Sequence, residues 1–234
     1  MKYILPAIFI LLITGLVVSK NFHQTNISPE KISPTGVTEE KEYAYFQIKA
    51  DSLSLINNWE NQVSSDEIIE KLGCISGING GFYGEDKKPL GWVVIDSQQV
   101  QKPKDSELLN GYVYVSNNKF YISDSVPAEL PKFGLQSGPL LIKNGKTMVL
   151  KLAADKPARR SVAVETTDGK GYMVMFLGEP TLKELPETLE NLGKKVNWSI
   201  KSAINLDGGT ASAFENGNER YREIISVGSW WCQK

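Results

Sequence analysis

The sequence predicts a single α+β domain, built mostly of antiparallel sheet with two or three helices. Four tight turns carry most of this prediction, because each pairs residues that tolerate positive φ angles and lies between two strand-like runs. These turns are Asn117-Asn118, Asn144-Gly145, Asp168-Gly169 and Asn216-Gly217. Two helix-start patterns, each a hydroxyl residue followed three positions later by a glutamate, predict the helices.

The runs beside each turn are predicted to be paired strands. They are Tyr112–Val115 with Phe120–Ile122, Leu140–Ile142 with Met148–Leu150, Ser161–Thr166 with Tyr172–Phe176, and Ala211–Glu215 with Arg220–Ile225. The apolar segment Ser202–Leu206 predicts a further, buried strand.

The first helix is predicted after Ser64, which can form a capping box with Glu67. Apolar residues at positions 68, 69 and 72 follow at helical spacing. Gly73 is expected to end this helix, because glycine readily adopts the left-handed conformation found after helix C-termini.

A second capping box, Thr181 with Glu184, precedes leucines at 182, 185, 189 and 192 that share one helical face. Pro186 lies inside this run and lacks the N–H that a helix interior requires. The helix therefore either kinks there or begins near Leu185. Gly193 is expected to end it.

Composition excludes several classes of function. The chain has 234 residues, with 26 Lys+Arg, 27 Asp+Glu, two Cys and one His. The lone histidine, His23, lies in a polar stretch behind the apolar N-terminus, which excludes a Ser-His-Asp or Cys-His nucleophile and a His-rich or four-Cys zinc site. A net charge of −1 and the lack of a basic run with interleaved aromatics argue against a nucleic-acid partner. Catalysis must therefore use carboxylates, Arg, Lys, Tyr, hydroxyls, amides or a hard metal ion.

The N-terminus predicts export. Lys2 precedes an apolar run over residues 4–18, so residues 1–19 are expected to be a signal peptide or an N-terminal membrane anchor. Residues 20–42 are rich in Ser, Thr, Pro and Asn and predict a disordered linker. The working domain is then 43–234, facing the periplasm or the cell exterior. There, Cys74 and Cys232 form either one disulfide or two buried thiols, and the sequence leaves this open, as it does the oligomeric state.

Polar residues stand beside glycines in four segments at predicted strand ends. These segments are Ile78–Tyr83, Gln136–Lys146, Ala158–Glu165 and Ala203–Phe214. In the last one, Asn205 and Asp207 share a strand face, and the two glycines that follow remove side-chain bulk beside the carboxylate. In the third, alternation sends Arg159 and Arg160 to opposite faces, so one of them is expected in a site where its planar fork would suit phosphate. Each segment alone also fits an ordinary turn or strand edge.

Together, these motifs resemble the phosphodiester glycosidase family over most of the chain from 43 to 231. The residues that carry the resemblance are Asn79–Phe82, Gly138–Pro139 with the Asn144-Gly145 turn, Arg160–Ser161 and Asn205–Gly209. The last is the most specific. One position departs from the family pattern, because Ala211 stands where the family often has serine. The hydroxyl that contacts substrate is therefore open between Thr210 and Ser212.

The resemblance implies hydrolysis of the sugar–phosphate bond of a sugar-1-phosphodiester in a cell-envelope glycan or glycoconjugate. Phosphate is a good leaving group, so a histidine acid is not required. Asp207 is expected as base or nucleophile, Arg160 as the phosphate partner and Glu179 as a second acidic candidate. The residues expected to hold sugar or phosphate oxygens are Asn79, Gly80, Gly81, Gln136, Ser161, Asn205, Gly208, Gly209, Thr210 and Ser212. The backbone amides of the four glycines are expected to add anion contacts.

Three alternatives stay open. The enzyme could attack phosphorus and be an ordinary phosphodiesterase. The domain could also be a non-catalytic module that binds a cell-envelope glycan or phosphopolymer, with tryptophans as stacking faces. These tryptophans are Trp59, Trp92, Trp198, Trp230 and Trp231. No cofactor is required, although Asp207 is the expected ligand if a divalent cation neutralises the phosphate. Residues 4–18 would supply any membrane tether.

Overall fold

Three antiparallel sheets surround one hydrophobic core in the computed structural model of the chain, which describes residues 41–234. The predicted signal peptide or anchor, His23 and nearly all of the predicted linker lie outside the described residues. Within residues 41–234, no helix is long and apolar enough to cross a membrane.

The secondary-structure elements are numbered here in chain order. The strands are β1 (Tyr43–Gln47), β2 (Leu53–Asn57), β3 (Ser76–Asn79), β4 (Val93–Ile95), β5 (Gln98–Gln101), β6 (Gly111–Ser116), β7 (Lys119–Ser123), β8 (Phe133–Ser137), β9 (Leu140–Lys143), β10 (Lys146–Thr147), β11 (Arg160–Thr166), β12 (Gly171–Phe176), β13 (Ile200–Asn205), β14 (Phe214–Glu215), β15 (Arg220–Tyr221) and β16 (Ser229–Gln233). The helices are α1 (Ser65–Leu72), α2 (Leu185–Lys195) and a short 3-10 helix at Gly209–Ala211.

The strands form one six-stranded and two five-stranded sheets. Their orders are β1-β12-β11-β13-β9-β10, β15-β14-β3-β16-β2 and β5-β4-β8-β6-β7. The strand pairs are antiparallel, which confirms the predicted sheet type. Strands hold 38% of the described residues and helices 11%, so the fold is more sheet-rich than the α+β class predicted from sequence.

The main core lies between the three sheets. Ile204 and Ala163 from the six-stranded sheet, Ile78 and Trp231 from the second sheet, and Val113 from the third all belong to one buried cluster. Burying a large aliphatic side chain fully contributes about 1.5–3 kcal/mol relative to leaving it exposed. This shared core holds the three sheets, and therefore the strand ends at their edges, in fixed relation.

Helix α1 begins and ends where the sequence predicts. The Ser64 hydroxyl accepts a hydrogen bond from the Glu67 N–H at 3.2 Å, which caps the N-terminus. Gly73 has a φ of 68°, and its N–H donates to the Ile69 carbonyl at 2.9 Å. The predicted cap and stop are both confirmed.

Helix α2 begins at Leu185, which confirms the later of the two predicted starts. Thr181 and Glu184 form their capping box one turn earlier, through Glu184 N–H to Thr181 Oγ1 at 3.3 Å and Thr181 N–H to Glu184 Oε2 at 2.9 Å. The expected stop at Gly193 is wrong, because the helix continues through it. Gly193 is buried, and a Cβ there would lie 3.0 Å from Ile200 Cδ1, so this glycine permits close packing of the helix on β13.

All four predicted turns join paired strands, namely β6–β7, β9–β10, β11–β12 and β14–β15. The strand predicted at Met148–Leu150 is wrong, since β10 ends before it and Val149 is 89% exposed with no surface to pack against. The strands predicted at Ala211–Glu215 and Arg220–Ile225 are each only two residues long. The 3-10 helix occupies the start of the first segment. In the second, the N–H groups of Ile224 and Ile225 donate to the Thr210 carbonyl and leave the sheet.

The two cysteines form a disulfide, which the sequence left open. Cys74 follows α1 and Cys232 lies in β16, with the sulfurs 2.01 Å apart and the Cα atoms 5.4 Å apart. Both residues are buried. The bond joins positions separated by 158 residues, so it restricts the unfolded chain over most of the domain.

Replacing both cysteines by serine should lower the free energy of unfolding by about 2–5 kcal/mol, because the unfolded chain regains the entropy that the cross-link removes. Urea unfolding of the wild type and of the double variant, each with and without a thiol reductant, measures this. The reductant should bring the wild-type midpoint down to that of the variant. An unchanged wild-type midpoint in reductant would contradict the bond.

Candidate functional site

Strands β3, β11 and β13 bring three of the glycine-bordered segments together at one edge of the sheets. The Asp207 N–H donates to the Gly80 carbonyl at 3.1 Å, and the Leu206 N–H donates to the Ser161 carbonyl at 2.8 Å. These two bonds place the segment after β13 between a strand of the six-stranded sheet and a strand of a neighbouring sheet. The three sequence motifs thus form one site.

Asn79 connects the three segments through its side chain. Its Oδ1 accepts hydrogen bonds from Ser161 Oγ at 2.6 Å and from the Ala213 N–H at 3.1 Å. Its Nδ2 donates to the Asp207 carbonyl oxygen at 2.5 Å. The residue is 1% exposed. Asn79 and Ser161 therefore bond each other, and Asn79 fixes the backbone of Asp207, while the expectation that they hold substrate oxygens stays a prediction.

The Asp207 carboxyl is half-buried and carries a strongly shifted pKa. Burial removes water from the ionised form and raises the pKa to about 7, opposed by a hydrogen bond from the Gly208 N–H to Asp207 Oδ1 at 2.9 Å. No hydrogen bond to Oδ2 comes from the described residues. A carboxyl that is desolvated and titrates near neutral pH is typical of a group that exchanges protons or attacks carbon.

Tyr83 is a neighbour of Asp207 that the sequence reasoning did not select. Burial raises the pKa of the Tyr83 phenol, the negative charge of Asp207 raises it further, and a hydrogen bond to the Ser226 carbonyl opposes both. Its ring lies against the backbone at Gly228, where a Cβ would come within 2.3 Å of it. Its place at the end of the Asn79–Tyr83 run was the available signal.

Arg160 lies beside Gly208, with Nη1 3.9 Å from where a Cβ of residue 208 would stand. Its other nitrogens bond the protein: Nε donates to the Pro180 carbonyl at 3.1 Å and Nη2 to the Lys156 carbonyl at 2.6 Å. Among the described residues, Nη1 has no hydrogen-bond partner. The structure thus brings a guanidinium N–H next to the loop that carries the carboxyl, and its role as a phosphate partner stays a prediction.

Asp155 supports Arg160 and was not predicted. Its carboxylate lies 3.6 Å from Arg160 Nη2. Burial alone would raise the pKa of Asp155, but hydrogen bonds from the Lys183 and Leu182 N–H groups and the charge of Arg160 hold that pKa below its usual range. Asp155 is therefore ionised at neutral pH and balances the buried arginine. No local motif marks it, because it lies in an irregular segment.

Two further expected contacts, Gln136 and Ser212, are bonded within the protein. Gln136 is 3% exposed, and four backbone groups use its amide: Oε1 accepts from Trp92 and Lys104 N–H groups, and Nε2 donates to the Lys104 and Leu109 carbonyls. Ser212 is fully buried and donates to the Arg159 carbonyl at 3.2 Å. Both side chains hold loops together, and their contact with substrate stays a prediction.

The amides of four glycines are also hydrogen-bonded within the protein, and their binding of anions stays a prediction. The Gly80 N–H donates to the Ser229 carbonyl at 2.8 Å and the Gly81 N–H to Ser229 Oγ at 3.2 Å. The Gly208 N–H bonds the Asp207 carboxylate, and the Gly209 N–H donates to the Arg159 carbonyl at 2.8 Å. These glycines instead allow close approach, because a Cβ at position 80 would lie 2.2 Å from Ser229 Oγ.

Asn205 and Thr210 are the other expected contacts, and both stay predictions. Thr210 is exposed, so its hydroxyl is the accessible one of the two that the sequence left open. Asn205 is 2% exposed and donates through Nδ2 to the Gly138 carbonyl at 3.0 Å, which brings in the fourth motif. Its Oδ1 is buried and has no partner among the described residues.

Glu179 lies in a different cleft. It is exposed and lines a cavity of about 580 Å³ with Glu42, Tyr43 and residues of α2, and Asp207 does not line that cavity. Its neighbour Pro180 accepts the Arg160 bond, so the loop is close to the site while the Glu179 carboxyl faces the cleft. Its role as a second acid stays a prediction.

In the described part of the chain, no cluster of three His, Cys, Asp or Glu residues is arranged to hold a metal ion.

Four of the five tryptophans are core residues and do not offer the sugar-stacking faces that the binding-module alternative would use. These four, each at most 5% exposed, are Trp59, Trp92, Trp230 and Trp231. Trp198 is partly exposed and stacks on Tyr172 with ring centroids 3.9 Å apart.

Solved structures share this architecture. The catalytic domain of zebrafish N-acetylglucosamine-1-phosphodiester alpha-N-acetylglucosaminidase, auto-inhibited by its pro-peptide, is 16% identical, with 82% of each chain covered and a TM-score of 0.61. A hypothetical protein from Synechocystis is 16% identical, with 82% of this chain and 59% of that one covered and a TM-score of 0.53. A putative exported protein from Burkholderia pseudomallei is 12% identical, with 82% and 73% covered and a TM-score of 0.53. At these identities the likeness shows the fold.

The sequence itself identifies the family. The family model described as phosphodiester glycosidase matches residues 72–225, a span that contains all the site segments described above. The chain belongs to the phosphodiester glycosidase family. No curated protein sequence matches it significantly.

Asp207→Asn should stabilise the folded protein at high pH. The folded-state pKa is raised from 3.8 to about 7, so the folded state binds a proton more tightly than the unfolded state, and stability falls as pH rises between those values. The ionised carboxyl thus costs up to about 4 kcal/mol above pH 7, a cost that asparagine removes. Thermal unfolding at pH 4 and pH 8.5 measures the difference between variant and wild type.

Asp155→Asn is the matched control with the opposite sign. The pKa of Asp155 is lowered, so its ionised form stabilises the fold above the unfolded-state pKa, and this contribution is lost as pH falls through the folded-state pKa. At pH 8.5 the Asp155 variant should unfold earlier than the wild type, while the Asp207 variant unfolds later. The same direction of shift for both would contradict the assignment.

Proposed function

We propose that the chain is an exported glycosidase that hydrolyses the sugar–phosphate bond of a sugar-1-phosphodiester. One observation carries the proposal: the loop that carries a desolvated carboxyl, Asp207, lies beside Arg160 Nη1 at Gly208, and this guanidinium nitrogen has no partner among the described residues. The loop thus offers a group able to act on carbon and contacts a group able to bind phosphate. Membership of the phosphodiester glycosidase family supports the same class of reaction.

In this mechanism Arg160 binds a non-bridging phosphate oxygen. The bond from the anomeric carbon to the bridging oxygen breaks, and the phosphate leaves with the electron pair while Arg160 stabilises its developing charge. Asp207 in its ionised form either attacks the anomeric carbon or takes a proton from the water that does so. The water supplies the new hydroxyl of the sugar, and its second proton is released.

The surrounding contacts fit these two roles. Asp155 holds the Arg160 guanidinium from behind, which leaves Nη1 as the end that faces Gly208. Asn79 holds the carbonyl of Asp207, so the carboxyl cannot move away with its loop. Preorganised groups of this kind stabilise charge in the transition state without further reorganisation.

Two observations support export. The disulfide between Cys74 and Cys232 is of the kind that persists in oxidising compartments. One protein of the same fold, from Burkholderia pseudomallei, is described as a putative exported protein. Export agrees with the apolar segment at residues 4–18, and an envelope glycan or glycoconjugate would then be the substrate.

Hydrolysis in isotopically labelled water tests the reaction. The soluble domain from residue 43, incubated with sugar-1-phosphodiesters, should release reducing sugar that carries the label. Label in the phosphate would show attack at phosphorus, and binding without any product would show a glycan-binding module. A parallel reaction with a chelator tests whether a divalent cation, held by Asp207 and the phosphate, takes part.

The rate should rise with pH around the pKa of Asp207. A base or nucleophile acts in its ionised form, and burial raises this pKa to about 7, so kcat/KM should increase up to about pH 7 and then level off. Asp207→Asn should lower kcat by about a thousandfold or more and keep the fold. A rate that falls above pH 7 would instead assign Asp207 as an acid.

Arg160 and its neighbour Arg159 form a matched pair for the phosphate contact. Arg160→Gln should lower kcat/KM by about a hundredfold to a thousandfold, as expected when one donor to a developing anion is removed. Arg159→Gln should change kcat/KM little, because its guanidinium donates to the Arg222 carbonyl at 3.0 Å. Equal losses in both variants would point to a general electrostatic effect.

A further inference from the structure

We infer that a cavity at the far end of β11 is a second binding site, which takes a neutral sugar ring of a polysaccharide against the indole of Trp198. It is called the Trp198 cavity below. Binding there is separate from Asp207 and Arg160 and does not depend on the reaction proposed above. The site holds a glycan polymer on the domain at a distance from the candidate active site.

The Trp198 cavity has a volume of about 340 Å³ and lies between the β11–β12 turn and the loop that follows α2. Thr167 in the turn and Asn197 and Trp198 in the loop are among its lining residues. The Thr167 N–H donates to the Ser199 carbonyl at 2.8 Å, and the Trp198 N–H donates to the Gly193 carbonyl at 2.7 Å. These bonds fix the two walls in the free protein, so a ligand does not have to order them.

The cavity is remote from the candidate active site. Arg160 begins β11, and Thr166, which ends that strand, lines the cavity. The six steps between these residues cover about 20 Å at roughly 3.3 Å per residue. Neither Arg160 nor Asp207 lines the cavity. A single sugar therefore cannot occupy both places, whereas a polymer can span them.

One face of the Trp198 indole has no aromatic partner. The indole stacks on Tyr172 with centroids 3.9 Å apart, and the Tyr45 centroid lies 5.0 Å from Trp198 and 6.4 Å from Tyr172. These separations form a nearly right-angled triangle with Trp198 at the corner, so Tyr45 lies beside the edge of the indole. Among the aromatic rings of residues 41–234, none covers the face opposite Tyr172, and Trp198 is partly exposed.

Polar groups around this face select a sugar over a purely apolar ligand. Thr167, Asn197 and Ser199 line the cavity and are exposed, and their side chains make no hydrogen bonds within the part of the chain that the structure describes. Two hydroxyls and an amide supply both donors and acceptors. A pyranose has an apolar C–H face and a rim of hydroxyls, so it can pack on the indole and bond these groups at the same time.

A charge pair at the edge of the cavity favours a neutral ring. The Asp168 carboxylate accepts hydrogen bonds from Thr166 Oγ1 at 2.5 Å and from Lys170 Nζ at 2.6 Å. Both charged residues line the cavity and balance each other. A phosphate group would meet the carboxylate without an unpaired cation beside it, whereas sugar hydroxyls can donate to its remaining lone pairs.

Calorimetric titration of the full-length protein tests the inference with three neutral probes, the hexasaccharides of β-1,4-glucose, β-1,4-N-acetylglucosamine and α-1,4-glucose. Because the probes carry no phosphate, they cannot make the anion contact expected of Arg160. At least one of them should bind the wild type. Trp198→Ala should weaken that binding by about tenfold or more, because the aromatic face is lost. If none of the three binds the wild type, the inference is wrong.

A second variant keeps the test decisive if Trp198→Ala does not fold. Asn197 has a φ of 59°, which glycine adopts without strain, so Asn197→Gly removes the amide and keeps the loop. This variant should bind the hexasaccharide about threefold to tenfold more weakly. Wild-type affinity in Trp198→Ala, or in Asn197→Gly where the alanine variant is unfolded, would place the glycan elsewhere and overturn the inference.

Tyr121→Ala is the matched control. Tyr121 is also partly exposed and stacks on Tyr114 with centroids 5.2 Å apart, but it belongs to a different sheet. Its removal should leave glycan affinity unchanged, and an equal loss in both alanine variants would reject a specific contact at Trp198.

Hydrolysis and binding separate this site from the proposed function. Arg160→Gln should keep the affinity for the hexasaccharide, and Trp198→Ala should keep kcat/KM for a small sugar-1-phosphodiester, since each residue lies at the other end of β11. Glycan binding that Trp198→Ala abolishes, in a protein that cleaves no phosphodiester, would support the cavity and reject the reaction. Loss of glycan binding in Arg160→Gln but not in Trp198→Ala would place the polymer at the candidate active site and overturn the inference.

Discussion

The side chain of Asn79 is the contact on which the candidate site depends. Three hydrogen bonds from one buried amide reach Ser161 at the start of β11, Ala213 before β14 and the backbone of Asp207 after β13. These segments belong to two different sheets and are far apart in the chain. An asparagine suits this position because its amide offers a donor and an acceptor in one rigid plane. Without it, three loop segments would each require another partner for a buried polar group.

That arrangement explains how a carboxyl can be kept in a poorly hydrated place. The backbone around Asp207 is satisfied by Gly80 and Asn79, so burial penalises the carboxyl alone, and its pKa rises to about 7. The cost falls on stability, and the gain is a group that exchanges protons near neutral pH. Arg160 lies beside Gly208, and the carboxylate of Asp155 balances its positive charge. The site therefore separates a reactive charge from a binding charge by giving only the second a counter-ion.

Local structure was predictable where neighbours in sequence determine it. The turns at Asn117-Asn118 and Asp168-Gly169 and the caps of α1 depend on φ preferences and on bonds within a few residues, and the fold contains them. The site was predictable in part, since the segments that carry Asn79, Arg160 and Asp207 adjoin, while the roles of these residues stay predictions. Gln136 shows why the sequence could not decide which polar residues are available to a ligand. A polar residue beside glycine has the same sequence pattern whether its partner is a ligand or a distant backbone group. The four backbone partners of Gln136 include one that is 44 positions away in the chain.

The sequence by itself determined the family, the hairpins, the helix caps and the identity of the groups able to act without histidine, because these follow from residue type and short-range geometry. Only the tertiary structure decided which of those groups are available. It paired Cys74 with Cys232, satisfied the glycine amides internally, and left Oδ1 of Asn205 and Nη1 of Arg160 without partners among the described residues. The physical reason is that hydrogen bonding and desolvation depend on every chain segment that surrounds a group. Those segments are brought together by the core between the three sheets.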